Sequence, residues 1–299
     1  MNLKEQCIGR WYSILTTLGV DEKILNGKHQ PCPGCEGTDR FRWTNHEDTG
    51  AYICNQCSGG DGFDLLMLCF GWDFSRSAKE IEAIIGNTRV IEKKKHDPLP
   101  LLQYVQKTAV YGPEVVNYIR GRGLNPLNCL RQSTLTYYDT DRKPIGKFPC
   151  MITKVVDKDN KPVTFNVTFL KDGKKAEVPC QKKILPGTKT ITGCAVRLGE
   201  LKDNCISVAE GIETSLAVLE MSGDQTWAAL NAGNMEKLEI PDNIEQVKIW
   251  ADNDSNFTGQ RSAYILARRL KIKNNDLKVE VHIPEKPDTD WLDFYVSNN

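Results

Sequence analysis

Nowhere in the 299 residues does an apolar run approach the ~20 residues that a membrane-spanning helix needs. The opening residues, Met1-Asn2-Leu3-Lys4-Glu5-Gln6, carry no apolar core of a signal peptide. A soluble cytoplasmic protein with no membrane partner is therefore expected. No Gly-x-x-x-x-Gly-Lys-Ser/Thr occurs, so no phosphate-cradling P-loop, and no motor built on one, is expected within the chain. Net charge is missing too, with 39 Lys and Arg against 39 Asp and Glu.

That zero is an average. Residues 1–90 hold 9 basic and 12 acidic side chains, residues 91–200 hold 20 and 10, and residues 201–299 hold 10 and 17. A middle segment with an excess of ten positive charges points to a polyanion partner. The acidic end suits a site that binds cations.

Cysteine is not scarce, at 11 residues. Cys32-Pro33-Gly34-Cys35 and Cys54-Asn55-Gln56-Cys57 form two C-x2-C pairs separated by 18 residues. Such knuckles place four thiolates tetrahedrally around Zn²⁺ with no open position, so the site reads as structural. A redox pair or two disulfides fit the paired spacing less well. Cys7, Cys69, Cys129, Cys150, Cys180, Cys194 and Cys205 show no regular spacing and read as buried free thiols. Between the pairs, Asp39–Trp43 and Gly50–Ile53 alternate as ribbon strands, and the Gly-rich Ser58–Gly62 enters a helix. His29 precedes the first cysteine, but four cysteines already fill a zinc shell. Lys28, His29, Arg40, Arg42, Trp43 and Tyr52 are candidates for touching single-stranded DNA through phosphate contact and stacking. For Phe41, Trp43 and Tyr52 the alternative is a small ribbon core.

Residues 3–25 read as one helix, with Ile8, Trp11, Ile14, Leu15 and Leu18 on one face. Residues 86–100 are polar, basic and Pro-ended, as in a linker. Residues 101–125 read as helical, and residues 133–170 as short strands with turns at Asp139–Lys143 and Asp157–Lys161. Lys171–Lys183 is a basic loop. From 201 onward the pattern predicts strand 206–209, helix 212–221, strand 226–230, helix 234–239, strand 246–251, helix 259–271, strand 278–283 and helix 290–297.

Two of those strands end in acid. Cys205–Ala209 leads into Glu210, and Gln246–Ala251 leads into Asp252-Asn253-Asp254. Strand–helix alternation implies a parallel sheet, whose sites lie beyond the strand carboxyl ends. Glu210, Asp252 and Asp254 would then converge, and clustered carboxylates repel unless a hard cation such as Mg²⁺ sits among them. The alternative is that they cap helices. Asp290 and Asp293, in Asp290-Trp291-Leu292-Asp293, either cap the last helix or complete the metal site.

These motifs carry a resemblance. Ala209-Glu210-Gly211-Ile212-Glu213-Thr214-Ser215-Leu216 followed by Asp252-x-Asp254 resembles the TOPRIM domain in its phage and plasmid primase branch. Gly27-Lys28-His29 through Gly60-Asp61-Gly62-Phe63 resembles the zinc-binding domain of phage primase–helicases. Arg120-Gly121-Arg122-Gly123-Leu124 and Ala195-Val196-Arg197-Leu198 resemble stretches ahead of TOPRIM in such primases. The resemblance implies a helix plus zinc-ribbon template-binding domain at 1–85, a linker at 86–100, a basic α+β subdomain at 101–200 and a parallel-sheet α/β TOPRIM domain at 201–299. It implies a DNA-dependent RNA primase of a phage or mobile element in a bacterial cytoplasm, with single-stranded DNA as template and ribonucleoside triphosphates as substrates. Glu210, Asp252 and Asp254 would hold catalytic Mg²⁺ or Mn²⁺. Arg120, Arg122, Lys182, Lys183 and Arg197 would hold triphosphate and template. The helicase would be a separate protein. The rivals are a TOPRIM nuclease or topoisomerase, and a non-catalytic single-strand-binding module of primase shape.

Overall fold

The amino-terminal apolar stripe forms two short helices, α1 (Leu3–Cys7) and α2 (Trp11–Thr17), not the single helix expected over 3–25. Gly9 breaks it at φ 75°, in the left-handed region that glycine enters without strain, and its amide donates to the Asp48 carbonyl. Trp11, Ile14 and Leu15 are buried as the spacing predicts, whereas Ile8 at the break is exposed. Strands β1 (Phe41–Trp43), β2 (Tyr52–Cys54) and β3 (Ser58–Gly60) pair antiparallel in that order. Asp61 and Asp64 then cap α3 (Gly62–Phe70) reciprocally. A side chain at Gly62 would meet the Trp11 ring at 2.2 Å, so only glycine fits there. Helix α4 (Phe74–Ile84) closes this unit. Phe41, Trp43 and Tyr52 are all buried with Trp11 and Phe63, which makes them ribbon core and corrects the expectation that Trp43 and Tyr52 stack on DNA.

The computed structural model describes residues 2–88, 97–139 and 143–298. The chain divides into two compact units, Met1–His96 and Asp97–Asn299. Most of the expected linker, residues 89–96, lies outside the described residues, as do turn residues 140–142.

In the second unit, the helical stretch expected over 101–125 is two helices, α5 (Leu99–Thr108) and α6 (Pro113–Gly121). Gly112-Pro113 separates them, because proline occupies a first helical turn readily and an interior poorly. Helix α5 also starts inside the stretch expected as linker. Strands β4 (Arg131–Tyr138), β5 (Pro144–Val156) and β6 (Pro162–Lys171) form an antiparallel meander. The expected basic loop contains two short strands, β7 (Lys174–Lys175) and β8 (Lys182–Ile184), each paired with β6.

After β9 (Val196–Leu198), a strand the pattern did not predict, the carboxyl-terminal elements follow the predicted order: β10 (Cys205–Ala209), α7 (Ile212–Ser222), β11 (Gln225–Ala228), α8 (Ala232–Met235), β12 (Gln246–Trp250), α9 (Thr258–Lys273), β13 (Lys278–His282) and α10 (Trp291–Asn298). The sheet order is β13-β12-β10-β11-β9. Four strands run parallel, as the strand–helix alternation implies, and β9 adds an antiparallel edge strand beside β11, which makes the sheet mixed. Strand β9 lies before residue 200 yet belongs to this sheet. Helices α8 and α9 cover one face through Met235, Ala263 and Leu266 against Ile206, Val208 and Ile249. On the other face, Leu216 and Ala217 of α7 share a core with Ile119 of α6, Met151 and Val155 of β5, and Leu292 of α10. Among the described residues no helix is long and apolar enough to cross a membrane.

Candidate functional site

The four cysteines converge. Their sulphurs all lie within 4.8 Å of one another, with Cys32 and Cys57 3.9 Å apart and Cys35 and Cys54 3.8 Å apart. The knuckle turns aim backbone amides at the sulphurs. Gly34 donates to Cys32 Sγ at 3.4 Å, and Gln56 and Cys57 donate to Cys54 Sγ at 3.5 and 3.4 Å. Four free thiols held with amide support fit a structural Zn²⁺. Lys28, His29 and Arg40 are exposed on the same unit. His29 Nδ1 lies 2.9 Å from the Asp39 carbonyl, and Arg40 donates to Gln56 Oε1 at 3.3 Å. Of the other seven cysteines, Cys129 and Cys180 are exposed and Cys69 is half-buried; the rest are buried as expected.

The acidic centre follows from sheet register. Val208 of β10 stands beside Ile249 of β12. Glu210 follows two residues on and Asp252 three, so both leave the sheet at its carboxyl edge. Asp252 caps no helix, whereas Glu210 accepts from the Ala232 amide at the start of α8. The cap of α7 is Gly211, with no side-chain bond. Asp252 Oδ1 is buried and has no hydrogen-bond partner among the described residues. Burial, then the charges of Glu210, Asp290, Asp254 and Asp293, push the Asp252 carboxyl up to about 7. Burial and Asp254 likewise raise Glu210. Asp254 does cap, accepting from Gly259 N at 2.8 Å at the start of α9. Asp290 and Asp293 accept from each other's amides at 2.9 and 3.2 Å, and Thr214 donates to Asp290 Oδ2 at 3.1 Å.

An orphaned buried carboxylate oxygen among four like charges fits a divalent cation. Among the described residues, the four cysteines are the one group of three or more His, Cys, Asp or Glu side chains placed to hold a metal ion.

Beside this centre lies a carboxylate with a different job. Glu213, 4% exposed, accepts from Lys182 Nζ at 3.0 Å, Lys175 Nζ at 3.2 Å and the Tyr118 hydroxyl at 2.6 Å. Burial alone would raise its carboxyl, but Lys182, Lys175 and Tyr118 outweigh it and hold the group at about 2. Lys175 is lowered by its own burial and by neighbouring Lys182 and Arg122, so cations outnumber the acid here. Lys182 also lowers Glu210, which links this cluster to the acidic centre. Lys175 and Tyr118 escape a sequence reading. One is a single lysine in a lysine-rich loop, and the other sits at core spacing beside Ile119.

The remaining basic candidates scatter. Arg120 and Arg122 are exposed at the end of α6. Strand alternation sends Lys183 away from its neighbour Lys182; its Nζ donates to the Tyr138 carbonyl and lies 3.6 Å from the Tyr137 ring centre. Arg197 donates to the carbonyls of Asp157 and Lys158, both at 2.8 Å, and lies over the Trp227 ring.

Known families match three stretches of the chain. The zinc-binding domain of primase-helicase matches residues 27–63, a domain of unknown function (DUF7146) matches residues 104–198, and the Toprim domain matches residues 205–298. Among solved structures, the zinc-binding and RNA polymerase domains of the Aquifex aeolicus primase align over 99% of this chain and 83% of that one, at 14% identity and a TM-score of 0.40. A DNA primase domain from Pseudomonas aeruginosa aligns over 67% of this chain and 75% of that one, at 14% identity and a TM-score of 0.46. The primase fragment of the bacteriophage T7 primase-helicase protein aligns over 91% and 95%, at 14% identity and a TM-score of 0.35.

Proposed function

We propose that this chain, which carries a primase-helicase type of zinc-binding domain and a Toprim domain, is a DNA primase that makes short RNA primers on single-stranded DNA for a phage or mobile element. The observation that carries the reading is the orphaned carboxylate oxygen of Asp252, buried among Glu210, Asp254, Asp290 and Asp293 in the Toprim domain.

The chemistry is attack of a 3′-hydroxyl on the α-phosphate of a nucleoside triphosphate, with pyrophosphate leaving. When bound, Mg²⁺ or Mn²⁺ lowers the pKa of the attacking hydroxyl and neutralises charge on the leaving oxygens. Glu210, Asp252 and Asp254 would hold the ions, with Asp290 and Asp293 at the margin. Lys182 and Arg122, on the cation-rich side of Glu213, would take the triphosphate. Glu213 positions Lys182 and is not itself a ligand in this reading. Lys28, His29 and Arg40 would touch the template from the zinc unit. A separate replicative helicase is the expected partner.

The test is one incubation of single-stranded template, labelled ribonucleotides and Mg²⁺. Template-dependent oligomers are expected. Template cleavage would favour a nuclease, and binding without product would favour a non-catalytic module.

A further inference from the structure

Asn253 stands between Asp252 and Asp254, and each of its polar groups is engaged. Its amide donates to the Thr289 carbonyl at 3.0 Å, and its carbonyl accepts from the Asp288 amide at 2.7 Å. Its side-chain Nδ2 donates to the Pro284 carbonyl at 2.7 Å. These bonds run to the segment that leads into Asp290 and Asp293, so one residue joins the two halves of the acidic centre. The remaining group, Oδ1, accepts from Gln260 Nε2 at 2.7 Å.

Gln260 lies in the first turn of α9 and is 8% exposed. Its Nε2 donates a second time, to the Asp254 carbonyl at 3.0 Å. Both partners are acceptors, and Asn253 has committed its own donor to Pro284, so the Gln260 amide can face only this way. Its Oε1 is then buried with no hydrogen-bond partner among the described residues. A buried acceptor without a donor costs about what a hydrogen bond contributes, so stability gives little reason for glutamine here. An apolar side chain of the same length would fill the space without the orphan. What a two-donor head adds is geometric: it ties Asn253 and Asp254 to one point. The close approach depends on Gly259, where a side chain would meet the Asp252 carbonyl at 2.6 Å. Repulsion among Asp252, Asp254, Asp290 and Asp293 favours an opened loop, and the Gln260 amide opposes that opening.

We propose that Gln260 is a positioning residue: through Asn253 and the Asp254 carbonyl it holds Asp252 and Asp254 in register with Asp290 and Asp293, so that they receive a divalent cation together. It touches neither the ion nor the nucleotide. The role rests on the cation site proposed above for the acidic centre. Outer partners that orient metal ligands in this way contribute about 10–100-fold in metal affinity.

The test is Mn²⁺ binding to the full chain, followed by the electron paramagnetic resonance of free Mn²⁺, without nucleotide or template. A melting curve in metal-free buffer accompanies each variant. Wild type should bind and Asp252→Asn should not; equal binding by the two removes the cation site itself, and the positioning role with it. Given that difference, Gln260→Met, of similar length but without donors, should bind about 10–100-fold more weakly at a nearly unchanged Tm. Gln260→Glu keeps the shape and adds a negative charge. If residue 260 acted by charge alone, that variant would bind Mn²⁺ more tightly; loss of the donated bonds predicts weaker binding instead. Primer synthesis by Gln260→Met should recover as Mg²⁺ is raised, and that by Asp252→Asn should not. Wild-type Mn²⁺ affinity in Gln260→Met overturns the proposal. So does tighter binding in Gln260→Glu, or a synthesis defect in Gln260→Met that Mg²⁺ does not relieve. If Gln260→Met fails to fold, Gln260→Glu decides alone.

Discussion

At Asp252 a carboxylate is buried beside four others of like charge, and one of its oxygens has no partner. Stability and chemistry make opposite demands there. A helix cap is worth ~1 kcal/mol, and removing one leaves chemistry alone. A group that holds a catalytic ion acts on the transition state, where each ~1.4 kcal/mol is tenfold in rate. Asp252→Asn should therefore reduce primer synthesis a hundredfold or more. In metal-free buffer at neutral pH it should raise Tm, because one crowded charge is gone. A primer-extension gel and a melting curve on the same sample check both halves. Glu213 is the reverse case. Its carboxyl is held at about 2 against an ordinary 4.5, so its charged form contributes stability that is complete above pH 4.5. That contribution is lost as pH falls from 4.5 towards 2. Glu213→Gln removes that pH dependence and leaves the half-buried Lys175 without its carboxylate, at a cost of about 3 kcal/mol in denaturant titrations at pH 7. Primer synthesis should survive with a raised KM for nucleotide, which steady-state kinetics would read.

Among the elements, the zinc ribbon is the one that cannot stand without its ion. Strands of three residues bury too little apolar surface to hold a fold, so the free energy of zinc binding is the free energy of folding. Cys32→Ser should release the metal, and backbone amide protection between residues 28 and 66 should disappear in hydrogen exchange. Metal analysis of the unaltered protein should give one zinc per chain; a zinc-free preparation with this segment intact would count against the assignment. The ribbon was legible because ligand spacing is local: two C-x2-C turns need nothing from the rest of the chain. The strand–helix order beyond 201 was legible for a similar reason, with ends within two residues of prediction at strands such as Cys205–Ala209 and Gln246–Trp250. Helix interruptions were missed. Periodicity carried the reading through Gly9 and through Gly112-Pro113, where backbone conformation ends the helix although the apolar stripe continues.

Across the whole molecule the two units have separate cores, while the middle sheet and the Toprim sheet share one through Met151, Val155, Ile119 and Leu216. Calorimetry should show two transitions. A zinc chelator should abolish the one belonging to residues 1–96 and leave the other in place. The excess of ten positive charges in residues 91–200 should make single-strand affinity fall log-linearly with salt, at ~0.7 per phosphate neutralised, a slope titration can measure. By itself the sequence determined what depends on neighbours in the chain: the four zinc ligands, the strand ends bearing Glu210 and Asp252, and the charge of the middle segment. Tertiary structure alone decided which charges meet. Adjacent Lys182 and Lys183 part company because a strand alternates its faces. Tyr118, Lys175 and Glu213, 38 residues or more apart in sequence, close on one another only because α6, β7 and α7 pack together. Long-range electrostatics is a property of the folded chain, and no spacing rule along the sequence encodes it.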